Sequence, residues 1–276
     1  MNFIPAFIRE RLMNSNYEYR LREAAKFVKD RFRLDGYEPF MIALNGSQNY
    51  NLDVHDEEFD SDYDYYCVVI PNLRCLISHQ FLSAQISYQG GHINVKDIRQ
   101  FAIVLAKRNP SAIEVLLTPY KLALWGPHYV DLMTEAIKDD IKAYPQKLIS
   151  AAMGTYESRS KKIYTPTEMT QSIIDKDGYY GKAAYQAYRM YCILCDIYEG
   201  KDFRLIHEPI DQQVMMKMKT QKYSFHTVRT LMNAVDSHLK GAVLLALEAK
   251  YPASEDDVGF EVKRLAYEII YEYCRE

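Results

Sequence analysis

The first half of the chain carries short apolar runs separated by turn-forming residues, which is typical of strands joined by short connections. Residues 40–44 form one continuous apolar run, and residues 67–70 form a second. Residues 92–96 alternate polar and apolar positions, which predicts a half-buried strand. We expect residues 40–44, 64–70 and 92–96 to be neighbouring strands of one mixed sheet. The intervening residues 72–90 show no clear period, and a short helix is one interpretation of part of them.

Apolar positions recur every three to four residues from Asp97 onward, which is typical of amphipathic helices. Asp97, followed three residues later by Gln100, has the composition of a helix start. Pro145 opens one of the later helices and Gly200 closes another. The predicted helices cover residues 6–33, 98–108, 111–117, 128–144, 146–164, 179–199, 211–218, 226–250 and 255–274.

This order of elements predicts an α+β protein. Strands and helices alternate first and a helical run follows, so we expect an α/β core over residues 1–120, including the N-terminal helix, and a helical domain over residues 121–276. With 276 residues, 48% of them hydrophobic, the chain is long enough to bury a core in each part.

Composition and charge exclude several classes of protein. The formal net charge is −3, so any contact with nucleic acid has to be a local basic patch. No apolar run approaches the roughly 20 residues of a membrane span, and the N-terminus lacks the layout of a signal peptide. The five cysteines show no metal-type pairing, so we expect free thiols and a cytoplasmic protein without a membrane partner.

The connection between the first two strands carries the residues with the clearest chemistry. Gly46 and Ser47 follow residues 40–44 after a single residue, Asn45. Glycine lets the backbone approach a phosphate closely, and serine adds a hydroxyl and an amide donor. Asp62 and Asp64 open the second strand, so their side chains should point to one face, about 7 Å apart at Cα. Two carboxylates this close repel each other unless a cation lies between them. The pattern favours metal-dependent phosphoryl or nucleotidyl transfer, with an acid-rich surface loop as the alternative.

This stretch resembles the DNA polymerase beta superfamily of nucleotidyltransferases. The pattern of that superfamily is a Gly-Ser turn, a spacer and then Asp-x-Asp on the next strand, which here are Gly46-Ser47 and Asp62-Tyr63-Asp64. The resemblance implies a polymerase-beta-like core, a small mixed sheet with helices, followed by a helical lobe. It also implies a nucleoside triphosphate and a divalent ion, Mg²⁺ or Mn²⁺, bound by the catalytic residues Asp62 and Asp64.

Three further stretches narrow the resemblance. Tyr50 follows Ser47, residues 109–117 read Asn-Pro-Ser-Ala-Ile-Glu-Val-Leu-Leu, and residues 178–189 read Gly-Tyr-Tyr-Gly-Lys-Ala-Ala-Tyr-Gln-Ala-Tyr-Arg. Over residues 40–200 the chain is similar to a predicted nucleotidyltransferase family associated with RNA repair, which is common in bacteria and phages. The resemblance implies the cytoplasm of a bacterium or of a phage-infected cell, and it leaves the acceptor open.

The chain departs from that pattern at several positions. Gln186 stands where the family has histidine, and the loop between the two motifs is longer. Polymerase-beta-like sites use a third carboxylate on a neighbouring strand, whereas His92 and Asn94 occupy the corresponding face here. Asp97 is the nearest acid, but along the strand its side chain should point to the face opposite that of His92 and Asn94. Its position at a helix start also argues against a metal-binding role. A metal ion held by two carboxylates and the His92 imidazole would favour Mn²⁺ over Mg²⁺.

A predicted helix carries two further candidates for nucleotide binding. Lys182 and Arg189 are seven residues apart and therefore lie on nearly one helix face. Lysine supplies a point charge and arginine a bidentate fork, which together suit a triphosphate, although ordinary charges on an exposed helix are the alternative. Arg159, on the preceding helix, either extends this basic patch toward an acceptor or belongs to a solvated helix end.

These features favour a metal-dependent nucleotidyltransferase that transfers a nucleoside monophosphate to a hydroxyl of an RNA end, a protein or a small molecule. The missing third carboxylate leaves a second interpretation open, namely a catalytically weakened module that binds nucleotide or RNA on the same fold. A third interpretation, a toxin–antitoxin-like interaction protein, rests on analogy of fold alone.

Overall fold

The apolar runs of the first half form one sheet. The computed structural model describes residues 6–32, 35–55, 61–251 and 259–275. Within these ranges the sheet contains strands β1 (Tyr37–Asn45), β2 (Asp64–Pro71), β3 (Ser83–Tyr88), β4 (Gly91–Asp97) and β5 (Lys121–Ala123). Their spatial order is β3-β4-β2-β1-β5. β2 and β4 run parallel, and the other neighbouring pairs are antiparallel.

Helices make up most of the rest of the chain. They are α1 (Ala6–Phe32), α2 (Leu73–Ile77), α3 (Ile98–Ala106), α4 (Pro110–Leu117), α5 (Pro127–Ala143), α6 (Gln146–Tyr164), α7 (Gln171–Asp177), α8 (Gly181–Tyr198), α9 (Pro209–Lys219), α10 (Phe225–His238), α11 (Leu244–Lys250) and α12 (Phe260–Tyr273). A π-helical segment, Leu239–Val243, joins α10 to α11. None of the described helices combines the length and the apolar composition that crossing a bilayer requires.

Side-chain caps begin the two helices that follow β4. The carboxylate of Asp97 accepts a hydrogen bond from the backbone amide of Arg99, and the side chain of Asn109 accepts bonds from the first amides of α4. Each cap satisfies a backbone donor that has no partner inside its helix. The caps therefore fix where α3 and α4 start, and with them the position of the α4 side chains that reach the site described below.

The sheet is buried on both faces. Tyr65, Cys67 and Val69 of β2 pack with α1 in one apolar core, whereas Val68 and Ile70 join a larger core beneath the helices. Successive strand residues point to opposite faces, so a slip of one residue would exchange these two sets. The double burial therefore specifies the register of β2 strongly.

The α+β class is confirmed, with a five-stranded mixed sheet followed by helices, and the three predicted strands are neighbours in that sheet. The sequence pattern does not indicate β3, which is an edge strand with no fully buried residue, or β5, which has three residues. It does not indicate α7 either, which buries no side chain. The predicted start of the last helix, residues 255–258, lies outside the described residues. The division at residue 120 stays a prediction.

The five cysteines, all within the described ranges, are free thiols. Cys192 is buried, and burial raises the pKa of its thiol. Cys67, Cys75 and Cys192 are buried and are therefore part of the packing, whereas Cys274 is exposed.

Two glycines inside helices provide a matched test of the packing between α8 and α9. A Cβ on Gly181 would lie 2.3 Å from the carbonyl oxygen of Met218, whereas a Cβ on Gly154 would meet nothing within 4 Å. Gly181→Ala should therefore lower the free energy of unfolding by about 1–3 kcal/mol through overpacking. Gly154→Ala should raise it by about 0.5–1 kcal/mol, since alanine is the better helix former. Urea denaturation of both variants checks this, and equal effects would contradict the close approach of α8 to α9.

Candidate active site

The residues between β1 and β2 form a tight turn whose position is fixed by buried hydrogen bonds. Gly46–Tyr50 is a single 3-10 turn, and Gly46 has a φ of +83°, which favours glycine. The side-chain amide of Asn49 donates to the carbonyl oxygen of Leu44 at 2.8 Å, and the hydroxyl of Thr118 donates to the side-chain oxygen of Asn49 at 2.9 Å. These bonds hold the turn in place, and Ser47 within the turn is half-buried.

The two aspartates lie beside this turn, but they do not share a strand. β2 begins at Asp64, which pairs with Asn45 across the sheet, and Asp62 lies in the connection before it. The prediction that both open the strand is therefore wrong for Asp62. The Asp62 backbone oxygen instead accepts a hydrogen bond from the side-chain amide of Gln48. Its carboxylate is exposed, and that of Asp64 is half-buried.

A cleft of about 570 Å³ separates the turn and the aspartates from the helices. Gly46, Ser47, Asp62 and Asp64 line it on the side of the sheet. The cleft is also lined by residues in or next to α6, α7, α8 and α9, with four cations and several aromatic or apolar groups: Arg159, Ile173, Tyr180, Lys182, Tyr185, Arg189, Met190 and Lys219. The predicted site residues other than His92 therefore line one cavity of a size typical of small-ligand sites.

A buried network joins the turn to the helical part of the chain. Arg189 of α8 pairs with Glu114 of α4, and the hydroxyl of Tyr50 donates to the other carboxylate oxygen of Glu114 at 2.5 Å. The Arg189 guanidinium lies over the Tyr50 ring, 3.9 Å from its centroid. Glu114 and Arg189 are almost completely buried. Tyr50, Glu114 and Arg189 come from three different stretches that carry the family resemblance. The fold brings these stretches together in this network.

This network gives Arg189 a different primary contact from the one predicted. Burial opposes the charged form of Arg189, but the Glu114 carboxylate beside it keeps the pKa of the guanidinium above its usual value. The charge is therefore already compensated inside the protein, which corrects the expectation of a bidentate grip on a phosphate. Its Nε atom is buried and lacks a hydrogen-bond partner, and Arg189 is one of the residues that line the cleft.

Lys182 and Arg159 supply cleft charge that is not compensated in this way. Lys182 is exposed and Arg159 half-buried, and neither makes an ion pair within the part of the chain that the structure describes. Both side chains line the cleft opposite the aspartates. Their role in binding nucleotide stays a prediction, and their placement is the one that it requires.

Lys219 is a cleft residue that the sequence does not reveal. Its amine donates to the carbonyl oxygen of Leu52 at 2.6 Å and to the hydroxyl of Ser61 at 2.7 Å, across a gap of more than 150 residues along the chain. It therefore ties α9 to both ends of the loop that precedes Asp62. A lysine in the last turn of a helix is ordinary, since it complements the helix dipole, so the sequence carried no signal for this contact.

The strand beside β2 contains no acid directed at the cleft. Asn94 pairs with Tyr66 of β2, and His92 lies next to Asp64 with its Nδ1 atom 3.5 Å from the Asp64 Oδ1 atom. Asp97 is fully buried, caps α3 and forms an ion pair with Arg99, so it takes no part in the site. No cluster of three His, Cys, Asp or Glu side chains suited to a metal ion occurs in residues 6–32, 35–55, 61–251 or 259–275.

The Asp64 carboxylate nevertheless has an oxygen that suits a hard divalent cation. The Asp64 Oδ1 atom accepts a hydrogen bond from the backbone amide of His92 at 3.2 Å. Its Oδ2 atom accepts none from the described residues and lies 3.7 Å from the point that a Cβ on Gly46 would occupy. Free carboxylate oxygens beside a glycine turn form the donor set that Mg²⁺ and Mn²⁺ prefer.

Comparison with known proteins adds little to this description. No family profile matches the sequence, and no curated protein matches it. Among solved structures, the chain is similar to a nucleotidyltransferase-like protein from Exiguobacterium sibiricum 255-15. The identity is 12%, the TM-score is 0.30, and the match covers 92% of this chain and 90% of that chain. At these values the likeness supports no conclusion about this chain, so its function has to be inferred from the cleft.

The buried ion pair should be the most sensitive polar contact in the protein. Glu114→Gln keeps the shape but leaves Arg189 buried without a counter-charge, so the free energy of unfolding should fall by about 3–5 kcal/mol. Glu135→Gln is the matched control, because Glu135 forms an exposed pair with Lys138 and should change stability by at most about 0.5 kcal/mol. Urea denaturation measures both, and losses of similar size would contradict the anchoring role of the buried pair.

The pH dependence of stability should reveal Lys219. Burial lowers the pKa of its amine from 10.5 to about 8, against the opposing charges of Asp53 and Asp62. Between pH 8 and 10.5 the unfolded chain therefore binds more protons at this amine than the folded chain does, so stability contributed by this group should rise with pH. The stability difference between the wild type and Lys219→Met should grow across this window and level off below pH 8. A difference independent of pH would show that the amine is not buried.

Proposed function

We propose that this protein is a metal-dependent nucleotidyltransferase that transfers a nucleoside monophosphate from a nucleoside triphosphate to a hydroxyl acceptor. The observation that carries the proposal is the division of charge across one cleft. Asp62, Asp64 and the glycine turn line this cleft together with Lys182 and Arg159, while Lys219 is held by its bonds to Leu52 and Ser61. Carboxylates and the cations Lys182 and Arg159, which form no ion pair with each other among the described residues, are suited to a ligand that brings both phosphates and a divalent cation.

The residues of the chain would divide the work by position. The backbone of Gly46 and the hydroxyl of Ser47 would hold the terminal phosphates, while Lys182 and Arg159 would neutralise their charge. Lys219 would keep the loop before Asp62 in place through its bonds to Leu52 and Ser61. Catalysis of this kind consists mainly of positioning and electrostatic stabilisation, because the protein forms no covalent bond with the substrate.

Asp62 and Asp64 would hold the metal ion, Mg²⁺ or Mn²⁺, which would stabilise the charge that develops on the transferred phosphoryl group. The same aspartates would be the catalytic residues. His92 is the neighbouring side chain that could favour Mn²⁺, since imidazole suits the softer of the two ions better.

The acceptor hydroxyl belongs to an RNA end, a protein or a small molecule, and we include an RNA-repair role, as the sequence resemblance implies, within this proposal. A catalytically weakened module that binds nucleotide or RNA is the second candidate, and the absence of an acid on the cleft face of β4 favours it. Incorporation of label from α-labelled triphosphates into bulk RNA or protein distinguishes the two, because the module would bind triphosphate without transferring any label.

The metal site can be tested without knowing the acceptor. Replacing both cleft acids, with Asp62→Asn and Asp64→Asn in one protein, should abolish thermal stabilisation by Mn²⁺ and by Mg²⁺ plus ATP, since binding to the folded state alone raises the unfolding temperature. The unfolding temperature without metal should stay close to that of the wild type, because Asp62 is exposed and Asp64 half-buried.

The control for that experiment is Asp131→Asn, which removes an exposed carboxylate on α5 away from the cleft. It should leave the metal response unchanged. An equal response in the wild type and the double variant would mean that Asp62 and Asp64 are not the metal site, and the proposed function would lose its basis.

A further inference from the structure

Gln48 is a buried residue of the Gly46–Tyr50 turn whose side chain is only half satisfied. It is 1% exposed, and its amide nitrogen donates to the backbone oxygen of Asp62. That bond identifies which end of the amide is the nitrogen. The other end, the Oε1 atom, is buried and has no hydrogen-bond partner. Buried carbonyl oxygens without a partner are rare because each costs free energy on folding.

This oxygen lies beside the candidate metal site. Gln48 Oε1 is 3.8 Å, and Asp64 Oδ2 is 3.7 Å, from the same point, the position that a Cβ on Gly46 would occupy. Neither oxygen receives a hydrogen bond from the described residues. Both acceptors lie within 3.8 Å of one point, and no described residue donates a hydrogen bond to either of them, so a positively charged group at that point would satisfy both.

We propose that Gln48 supplies a third oxygen ligand to the divalent cation held by Asp62 and Asp64. The inference rests on the proposed function, and it accounts for the missing acid on β4. The third ligand comes from the turn that follows β1, and it is a neutral amide oxygen rather than a carboxylate. Asparagine and glutamine oxygens are ordinary ligands of hard cations, and a site with fewer charged ligands binds more weakly.

Two substitutions at Gln48 separate ligation from mere positioning of Asp62. Gln48→Glu keeps an oxygen at the Oε1 position and adds a charge, but it loses the amide donor to Asp62. Gln48→Met loses both the oxygen and the donor. If Gln48 binds the cation, Gln48→Glu should tighten Mn²⁺ binding by about tenfold and Gln48→Met should weaken it by about tenfold. If Gln48 only positions Asp62, both substitutions should weaken binding.

The measurement is titration of the full chain with Mn²⁺, followed through the electron paramagnetic resonance signal of the free ion. Gln186→Glu is the control, because Gln186 of α8, like Gln48, has a buried Oε1 atom that lacks a partner, and it lines the cleft. It adds the same charge on the helical side of the site and should tighten binding far less. Combining Gln48→Glu with Asp64→Asn should remove the gain, because both oxygens would contact one ion.

Thermal unfolding supplies a second measurement in case the new acid disturbs the fold. Gln48→Glu places a carboxylate in a buried position, so its unfolding temperature should fall without metal and recover with Mn²⁺ more than that of the wild type. Weaker Mn²⁺ binding or a smaller recovery in Gln48→Glu would overturn the proposal. The proposed function would survive that result if the wild type still lost its metal response on removal of Asp62 and Asp64.

Discussion

The buried contact between Glu114 and Arg189 is the constraint on which the rest of the site depends. Arg189 comes from α8, Glu114 from α4 and Tyr50 from the turn after β1. One network therefore fixes α4 and α8 against that turn, which is the candidate phosphate-binding element. A buried ion pair is tolerated only when both charges are paired and hydrogen-bonded, which makes its geometry restrictive. The cleft lies directly beside this network. Because the geometry of the buried ion pair is restrictive, the network sets the width of the cleft.

Charge is distributed in the cleft so that the described residues alone do not neutralise it. The Asp64 Oδ2 atom and the Gln48 Oε1 atom accept no hydrogen bond from the described residues, while Lys182 and Arg159 form no ion pair there. Elsewhere the protein pairs its buried charges, as with Asp97 and Arg99. This contrast is the support for the proposed ligand, because a ligand that carries a cation and several phosphates would satisfy the carboxylates and the cations together.

The sequence predicted β1, β2 and β4 and the turn after β1 because these depend on local patterns, whereas β3 and β5 carry no such pattern. Residues 40–44 and 92–96 lie within β1 and β4, as their apolar patterns predicted. Gly46 has the positive φ that the turn requires. The contacts of Lys219 and Arg189 could not be predicted, because they join residues 75 or more positions apart in the chain. Arg189 shows the limit most clearly, since its residue type suited a phosphate while the fold gave it Glu114 as a partner.

The most direct test of the account is the position of the metal ion itself. Crystals of the protein grown with Mn²⁺ and a non-hydrolysable nucleoside triphosphate analogue would locate the ion by its anomalous scattering. We expect an anomalous peak in contact with oxygens of both Asp62 and Asp64, with the triphosphate running from Ser47 toward Lys182. A Mn²⁺ ion bound elsewhere, or an analogue bound outside this cleft, would contradict the central claim that the two charged sides form one nucleotide site.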